Sequence, residues 1–292
     1  LIETFSKYAI HEVKMFKQEP LERRLALTHA MFEVLSDLQE PNAKELVATI
    51  SVRELPLPYA VRIDKIEEGM GIDYSKFLKE VADEIWKAYE DEGINPSVDL
   101  KTPATEFWVF VGKDFVILGR ELFEVDKKQF KERVPPRRPF FLPISMDPRI
   151  ARAMVNLSRI RKGKRLLDPC CGSGGILLEA ASIGCKVYGV DIDEKMVDGT
   201  KKNLKHYGFY GSVRKGDCRN LEKIFNKRNY FDAIVTDFPY GRSTRRANSE
   251  KFYEDCLRSM ERMLKPMCYM VFASHKEIEP KSKNLILVEL HR

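Results

Sequence analysis

Long apolar runs are missing from this 292-residue chain. No stretch approaches the roughly 18 consecutive apolar residues that a membrane span requires, so no membrane association is expected, and no signal peptide is visible. Paired C-x-x-C spacings are missing too. The six cysteines (Cys170, Cys171, Cys185, Cys218, Cys256 and Cys268) show none, which argues against a zinc site and, in a chain of this length, against a disulfide framework. Cysteines in apolar and turn stretches predict reduced thiols and a cytoplasmic location. For Cys170 and Cys171, packing within a turn outweighs redox chemistry. Internal repeats and low-complexity segments are absent as well. What the chain does have is 43% hydrophobic residues and a net charge of +6. The first is enough for one or two packed domains. The second suits a polyanionic partner without proving one.

The most informative stretch is Arg165-Leu-Leu-Asp-Pro-Cys-Cys-Gly-Ser-Gly-Gly-Ile-Leu-Leu-Glu179. It reads as a buried strand, a glycine turn and a helix whose first N–H groups open into a crevice. Gly172, Gly174 and Gly175 permit backbone angles and a close approach that a Cβ would forbid. The next strand, Lys186 to Asp193, ends in two carboxylates about 20 residues on, where an α/β nucleotide site places the acid that binds ribose. Spacing alone fits either a dinucleotide or S-adenosylmethionine (SAM). The later strand Phe231-Asp-Ala-Ile-Val235 runs into Thr236-Asp-Phe-Pro-Tyr-Gly-Arg-Ser-Thr244. This resembles the amino-methyltransferase signature Asp-Pro-Pro-Tyr, with Phe238 in place of the first proline.

In chain order, Leu21, Leu25, Thr28 or His29, Phe32 and Leu35 recur at helical spacing, which predicts an amphipathic helix over 19–35 with His29 as a core or boundary residue. Strands are expected over 46–53 and 59–63, a helix over 74–89, and a hairpin over 106–119 turning at Gly112. Trp108, Phe110 and Phe115 read as buried sheet residues before a base-stacking platform. Between Val125 and Pro148, Lys127, Lys128, Lys131, Arg133, Arg137 and Arg138 share the chain with five prolines. Prolines at this density predict an extended linker, either a solvated hinge or a positive strap along a phosphate backbone. From Arg149 to Arg165 there are seven basic residues and no acid, and the two basic stretches together favour nucleic acid. From Arg165 onward strands and helices alternate, as in a parallel sheet with crossover helices. A last strand is expected over Asn284–Leu290.

With these pieces in place, the chain resembles the archaeal tRNA (guanine-N2-)-methyltransferases that act on guanosine at position ten. The likeness rests on the glycine turn, the Asp237 motif followed by Gly-Arg-Ser-Thr, Val111 to Glu121, Arg137-Arg-Pro-Phe-Phe141 and Asp147 to Leu157. It implies an α/β fold: a Rossmann-like SAM-dependent methyltransferase domain preceded by an α+β ferredoxin-like/THUMP RNA-binding module. The expected divisions are a ferredoxin-like region over 1–45, a THUMP domain over 46–125, a basic proline-rich linker over 126–146 and the methyltransferase domain over 147–292. Departures are Phe238, Leu142 where relatives often carry histidine, a short N-terminal unit, and no closing strand after Arg292. A start on Leu1 adds to the expectation that sequence is missing at both ends.

The resemblance also implies roles. The cofactor is SAM, held by Asp168, Cys170, Gly172 and Gly174 at its methionine part, by Asp191 at the ribose, and by Ile192, Asp217 and Cys218 at the adenine. Asp193 reads instead as a helix N-cap. The catalytic group is Asp237, Phe238, Pro239 and Tyr240: the Asp237 carboxylate and the Phe238 carbonyl accept from the guanine amine, Pro239 fixes the turn, and Tyr240 stacks on the flipped-out base. Lys127, Lys128, Lys131, Arg133, Arg137, Arg138 and Arg242 are the RNA-binding candidates, with Arg242 equally readable as a solvated loop residue. The partner is tRNA. Eukaryotic relatives use a small activating subunit, which nothing in this sequence shows. Alternatives are methylation of another RNA guanine or of DNA adenine, a catalytically weak RNA-binding relative, and a nicotinamide oxidoreductase that would leave the Asp237 motif unexplained.

Overall fold

The computed structural model describes residues 3–4, 9–10, 25–27, 30–66, 70–239, 250–274, 278, 281–282 and 284–288. The chain divides into two compact units, one of residues 1–19 and 28–125, the other of 20–27 and 126–292.

The first unit contains a short antiparallel ribbon, β1 (Glu3–Thr4) and β2 (Ala9–Ile10). Its main body is a four-stranded sheet of β3 (Ala30–Leu38), β4 (Tyr59–Lys65), β5 (Thr105–Val111) and β6 (Val116–Glu124), in the order β3-β6-β5-β4. Only the β4–β5 pair is parallel. Helices α1 (Ala43–Val47) and α2 (Tyr74–Asp91) contribute to its core. Phe77, Val81, Ile85 and Tyr89 form the buried stripe of α2, against Tyr59, Phe107, Val109 and Leu118 from the strands.

Two expectations fail here. Residues 30–38 are a strand: β3 pairs along its length with β6, and that ladder overrides the helical spacing of Phe32 and Leu35. Residues 46–53 are not a strand either. Asn42 accepts from the Glu45 N–H and caps α1, which carries Leu46 and Val47 into the core. Because β3 and β6 share one sheet, residues 30–45 and 46–125 are one folded body. Leu21, Thr28 and His29 lie outside the described residues.

The second unit holds a five-stranded, wholly parallel sheet: β7 (Arg165–Asp168), β8 (Lys186–Asp191), β9 (Gly211–Lys215), β10 (Phe231–Asp237) and β11 (Leu264–Ala273), in the order β11-β10-β7-β8-β9. The chain runs outward from β7 through β8 to β9, then returns to the other side of β7 as β10. That reversal is a topological switch point, with its crevice above the C-terminal ends of β7 and β10. The helices are α3 (Lys128–Lys131), α4 (Pro148–Leu157), α5 (Gly175–Ser182), α6 (Glu194–His206), α7 (Leu221–Phe225) and α8 (Glu250–Met263). One cluster packs α4, α5 and α6 on the face carrying Leu166, Val187 and Ala233. Another packs α7 and α8 on the face carrying Leu167, Val190 and Ile234. The strand expected over 284–290 does not form across residues 284–288. No helix among the described residues is long and apolar enough to cross a membrane.

The segment expected to be an extended linker is folded onto the second unit. It contains α3 and a 3-10 turn at Pro135–Arg137, and two of its arginines are buried. Arg133, 8% exposed, donates from Nε to Glu179 Oε1 at 2.7 Å and from a terminal nitrogen to Oε2 at 3.1 Å. Arg152 of α4 adds a third bond to Glu179 at 2.9 Å. Arg138, 3% exposed, donates to the Arg133 carbonyl and packs on Gly175. Arg133 and Arg138 are therefore not RNA contacts, because an anion cannot reach a guanidinium closed inside the unit. Lys127, Lys128, Lys131 and Arg137 remain exposed. Within the basic stretch 149–165 helix α4 ends at Leu157, and its Arg152 belongs to the buried network.

Candidate active site

Three carboxylates gather where β7, β8 and β10 end. Leu167 of β7 pairs with Tyr188 of β8 and with Ile234 of β10. Asp191 lies three residues beyond Tyr188 and Asp237 three beyond Ile234. The two acids therefore stand at one height and one pleat parity, two strand spacings (about 10 Å) apart. Asp168 ends the strand between them.

Asp168 is 1% exposed and accepts from the Thr236 hydroxyl at 2.8 Å and the Cys170 N–H at 3.1 Å. Burial pushes its pKa up to about 8, with the nearby Asp191 and Asp237 charges adding to the rise. Asp237 is pushed up to about 6 by burial alone, and among the described residues nothing hydrogen-bonds to its carboxyl. Asp191 is also raised by burial, against two backbone N–H groups that favour its ionised form. Those groups are Gly172 N–H, 2.8 Å from Oδ2, and Asp193 N–H, 3.0 Å from Oδ1. Each oxygen keeps a lone pair for a further donor, such as a sugar hydroxyl.

The glycine turn needs its glycines at two positions. Gly172 and Gly174 have φ of +49° and +82°, a region side chains rarely adopt. A Cβ on Gly174 would come within 2.7 Å of Thr200 Cγ2, whereas one on Gly172 would meet nothing within 4 Å. The Gly172 side is thus an open cradle beside Asp191. Ile192, 68% exposed, stands next to it. This combination fits a nucleoside with a charged tail. Asp193 caps α6, as its position predicts, accepting from Lys195 N–H at 2.9 Å.

Two adenine candidates sit differently from expectation. Asp217 has its carboxylate clasped by Arg219, at 2.5 Å from a terminal nitrogen and 3.0 Å from Nε, so an adenine amine there would have to share it. Cys218 is 6% exposed with its sulfur 3.0 Å from Cys256 Sγ. Its thiol belongs to the core, which leaves only its backbone for the ring. Phe238 is 1% exposed, and Pro239 follows it half-buried. Tyr240 and Arg242 lie outside the described residues.

Sequence reasoning missed the residues that hold the turn from behind. Thr200 donates to the Gly172 carbonyl at 2.7 Å. Asn203 donates to the Ser173 carbonyl at 2.8 Å and to the Phe140 carbonyl at 2.6 Å, and accepts from Phe140 N–H at 2.9 Å. Both are fully buried on α6. Their three-residue spacing puts them on one helix face, the signal that was available. Thr236 was a further clue, a hydroxyl inside an otherwise apolar strand.

The chain is similar to several known proteins. A family model described as UPF0020, RMKL-like, methyltransferase domain, matches residues 135–285. The chain is 40% identical over 269 residues to the tRNA (guanine(10)-N2)-dimethyltransferase of Methanothermobacter thermautotrophicus, covering 89% of this chain and 75% of that protein. It is 43% identical over 179 residues to the enzyme of the same name from Pyrococcus abyssi, covering 61% and 53%. Among solved structures it is similar to TrmN from Thermus thermophilus, at 26% identity and a TM-score of 0.46, over 88% of this chain and 75% of that one.

Proposed function

Because the chain belongs to the tRNA (guanine(10)-N2)-dimethyltransferase family, we propose that it methylates the exocyclic N2 of guanosine ten in tRNA, giving the mono- and dimethylated base. The observation that carries this reading is the shared height of Asp191 and Asp237 on either side of Asp168. We read one acid as the acceptor for a sugar and the other as the acceptor for a base amine, at the same end of one sheet.

The cofactor is S-adenosylmethionine, which when bound supplies an electrophilic methyl group on a sulfonium. The residues present fit it. Asp191 would hold the ribose, the open side of Gly172 and the turn through Gly174 the methionine part, and Ile192 the adenine face. Asp191 and Asp237 give the site an anionic character suited to a cation, while Asp168, at about 8, is mostly protonated near neutral pH. Asp237, at about 6, is mostly ionised near neutral pH. Its carboxylate accepts one N–H of the guanine amine and the Phe238 carbonyl accepts the other, turning the nitrogen lone pair toward the methyl group. Asp237 also receives the proton the amine loses, or passes it to water. Lys127, Lys128, Lys131 and Arg137 are exposed, which supports reading them as contacts for RNA phosphates. We infer that the first unit is the THUMP-type RNA-binding module, and that the enzyme works in the cytoplasm.

Methylation of tRNA transcripts with methyl-labelled cofactor, followed by mapping of the label, tests this. Label should appear at guanosine ten and vanish when that base is replaced; label at another nucleotide would reassign the substrate. Asp237→Asn should lower kcat on the order of a hundredfold with tRNA affinity intact. In the wild type, kcat should fall as pH drops through about 6, where Asp237 protonates. Near-normal turnover of the variant would remove Asp237 from the chemistry.

A further inference from the structure

Three thiols from three separate elements meet on the α7–α8 side of the sheet. Cys170 lies in the glycine turn, Cys218 opens the 3-10 turn after β9, and Cys256 sits within α8. Cys218 Sγ is 3.0 Å from Cys256 Sγ, and Cys170 packs against the same cluster. Cys218 and Cys256 are 6% and 0% exposed, in the cluster with Leu221, Tyr253 and Phe238. Their sulfurs need to close by only about 1 Å to reach a disulfide bond length. Contact with Cys170 and then with Cys256 lowers the Cys218 thiol against its burial, while contact with Cys218 raises Cys256. The two sulfurs share one proton-exchanging contact, and attack by whichever is deprotonated begins thiol oxidation.

We propose that Cys218 and Cys256 are a dithiol that hydrogen peroxide closes to a disulfide, stapling the turn after β9 to α8. The Cys218 thiolate attacks one peroxide oxygen, the O–O bond breaks, and the departing hydroxide takes a proton to leave as water. The Cys256 sulfur then attacks the resulting sulfenic acid, and its proton leaves with the displaced hydroxyl as a second water. Two thiols and one peroxide give one disulfide and two waters, so the sulfurs are oxidised and the peroxide oxygens reduced. The bond spans a separation of 38 residues and encloses the whole of β10. It would tether both flanks of the strand that ends in Asp237 while leaving Cys170, and so the glycine turn, reduced.

The test treats the full chain with hydrogen peroxide, blocks free thiols, maps peptides without reductant and records melting curves. The expected result is a Cys218–Cys256 cross-linked peptide and a Tm raised by roughly 8–15 °C, as loop closure of this length predicts. Dithiothreitol should reverse both. Cys256→Ala and Cys256→Ser should each abolish the shift, and Cys268→Ser should keep it. A Cys170–Cys218 cross-link, a Cys218 recovered free or as sulfinic acid, or a Tm shift that survives in either Cys256 variant would overturn the proposal. The wild-type peptide map decides the matter even if both Cys256 variants fail to fold.

Discussion

Glu179 is fully buried and accepts three charged hydrogen bonds, two from Arg133 and one from Arg152. Replacing it with alanine takes the carboxylate away from two guanidinium groups that are 8% and 1% exposed, with Arg152 keeping its bond to Ser182. Deleting one partner of a buried ion pair costs about 3–5 kcal/mol, and the loss for two cations at once puts Glu179→Ala near the upper end. Arg133→Ala is milder. The carboxylate keeps Arg152 and its Ser182 contact, so the loss is that of hydrogen bonds to a charged group, about 2–3 kcal/mol. In a unit of this size each kcal/mol moves Tm by roughly 2–4 °C. Glu179→Ala should then melt about 10–20 °C early and Arg133→Ala about 5–10 °C early. Substituting the exposed Lys127, Lys128 and Lys131 with glutamate should move Tm little, since surface changes stay within about 0.5 kcal/mol each, yet weaken tRNA binding and flatten its salt dependence. Calorimetry beside tRNA filter binding at fixed salt separates the two classes. If Arg133→Ala binds tRNA poorly while melting like the wild type, Arg133 is an RNA contact and the burial argument is wrong.

Asp191→Ala should raise the SAM Kd about tenfold or more by calorimetric titration, because it removes both the sugar acceptor and the bond that orients Gly172 N–H; an unchanged isotherm would contradict its assignment. Asn203→Ala should raise the KM for SAM on the order of tenfold while kcat at saturation stays within about threefold, since Asn203 acts only through the Ser173 and Phe140 backbone; a loss confined to kcat would place it elsewhere in the mechanism. Asp168 predicts an alkaline weakness. Its folded pKa of about 8 lies above the roughly 3.9 of an unfolded aspartate, so between those values the folded state holds a proton the unfolded state has lost. The resulting stability is full below about pH 4 and is lost as pH rises toward 8, at up to about 1.4 kcal/mol per unit. Melting curves from pH 5 to 8 should slope downward in the wild type and flatten in Asp168→Asn, and equal slopes would refute the shift.

Local patterns carried the parallel sheet, the glycine turn and the two outer carboxylates, because each depends on residues close in sequence. Two of the failures share a non-local cause. Phe32 and Leu35 sit at helical spacing, but a strand some 85 residues on claims them. The arginines of residues 126–146 read as a solvated strap because composition does not say where a charge points. Glu179, the partner of Arg133, lies 46 residues from it, and it was itself a clue, a lone acid in an apolar helix. Helix α1 was legible and missed, since Asn42 stands three residues before Glu45 at its start. Helix α7 has five residues, too few to show a helical period.

Phe238 is the residue that sets this chain apart from the Asp-Pro-Pro-Tyr signature, and the structure supplies a physical replacement for the missing proline. A pyrrolidine ring would fix φ but remove the N–H. Here the Phe238 N–H donates to the Ala273 carbonyl at 3.1 Å, extending the β10–β11 pairing past Asp237. The ring is 1% exposed, edge-on to Tyr253 at 5.1 Å and to Phe272 at 5.4 Å, a burial worth about 1.5–3 kcal/mol. Those two anchors fix the residue from its amino side. From its carboxyl side, Pro239 restricts the preceding residue to extended backbone, which sets the direction of the Phe238 carbonyl. The proposed second acceptor for the guanine amine is therefore held at both ends without the proline. Rigidity has moved from a ring in the main chain to a ring in the core, so Phe238 is held in place without the first proline of the signature.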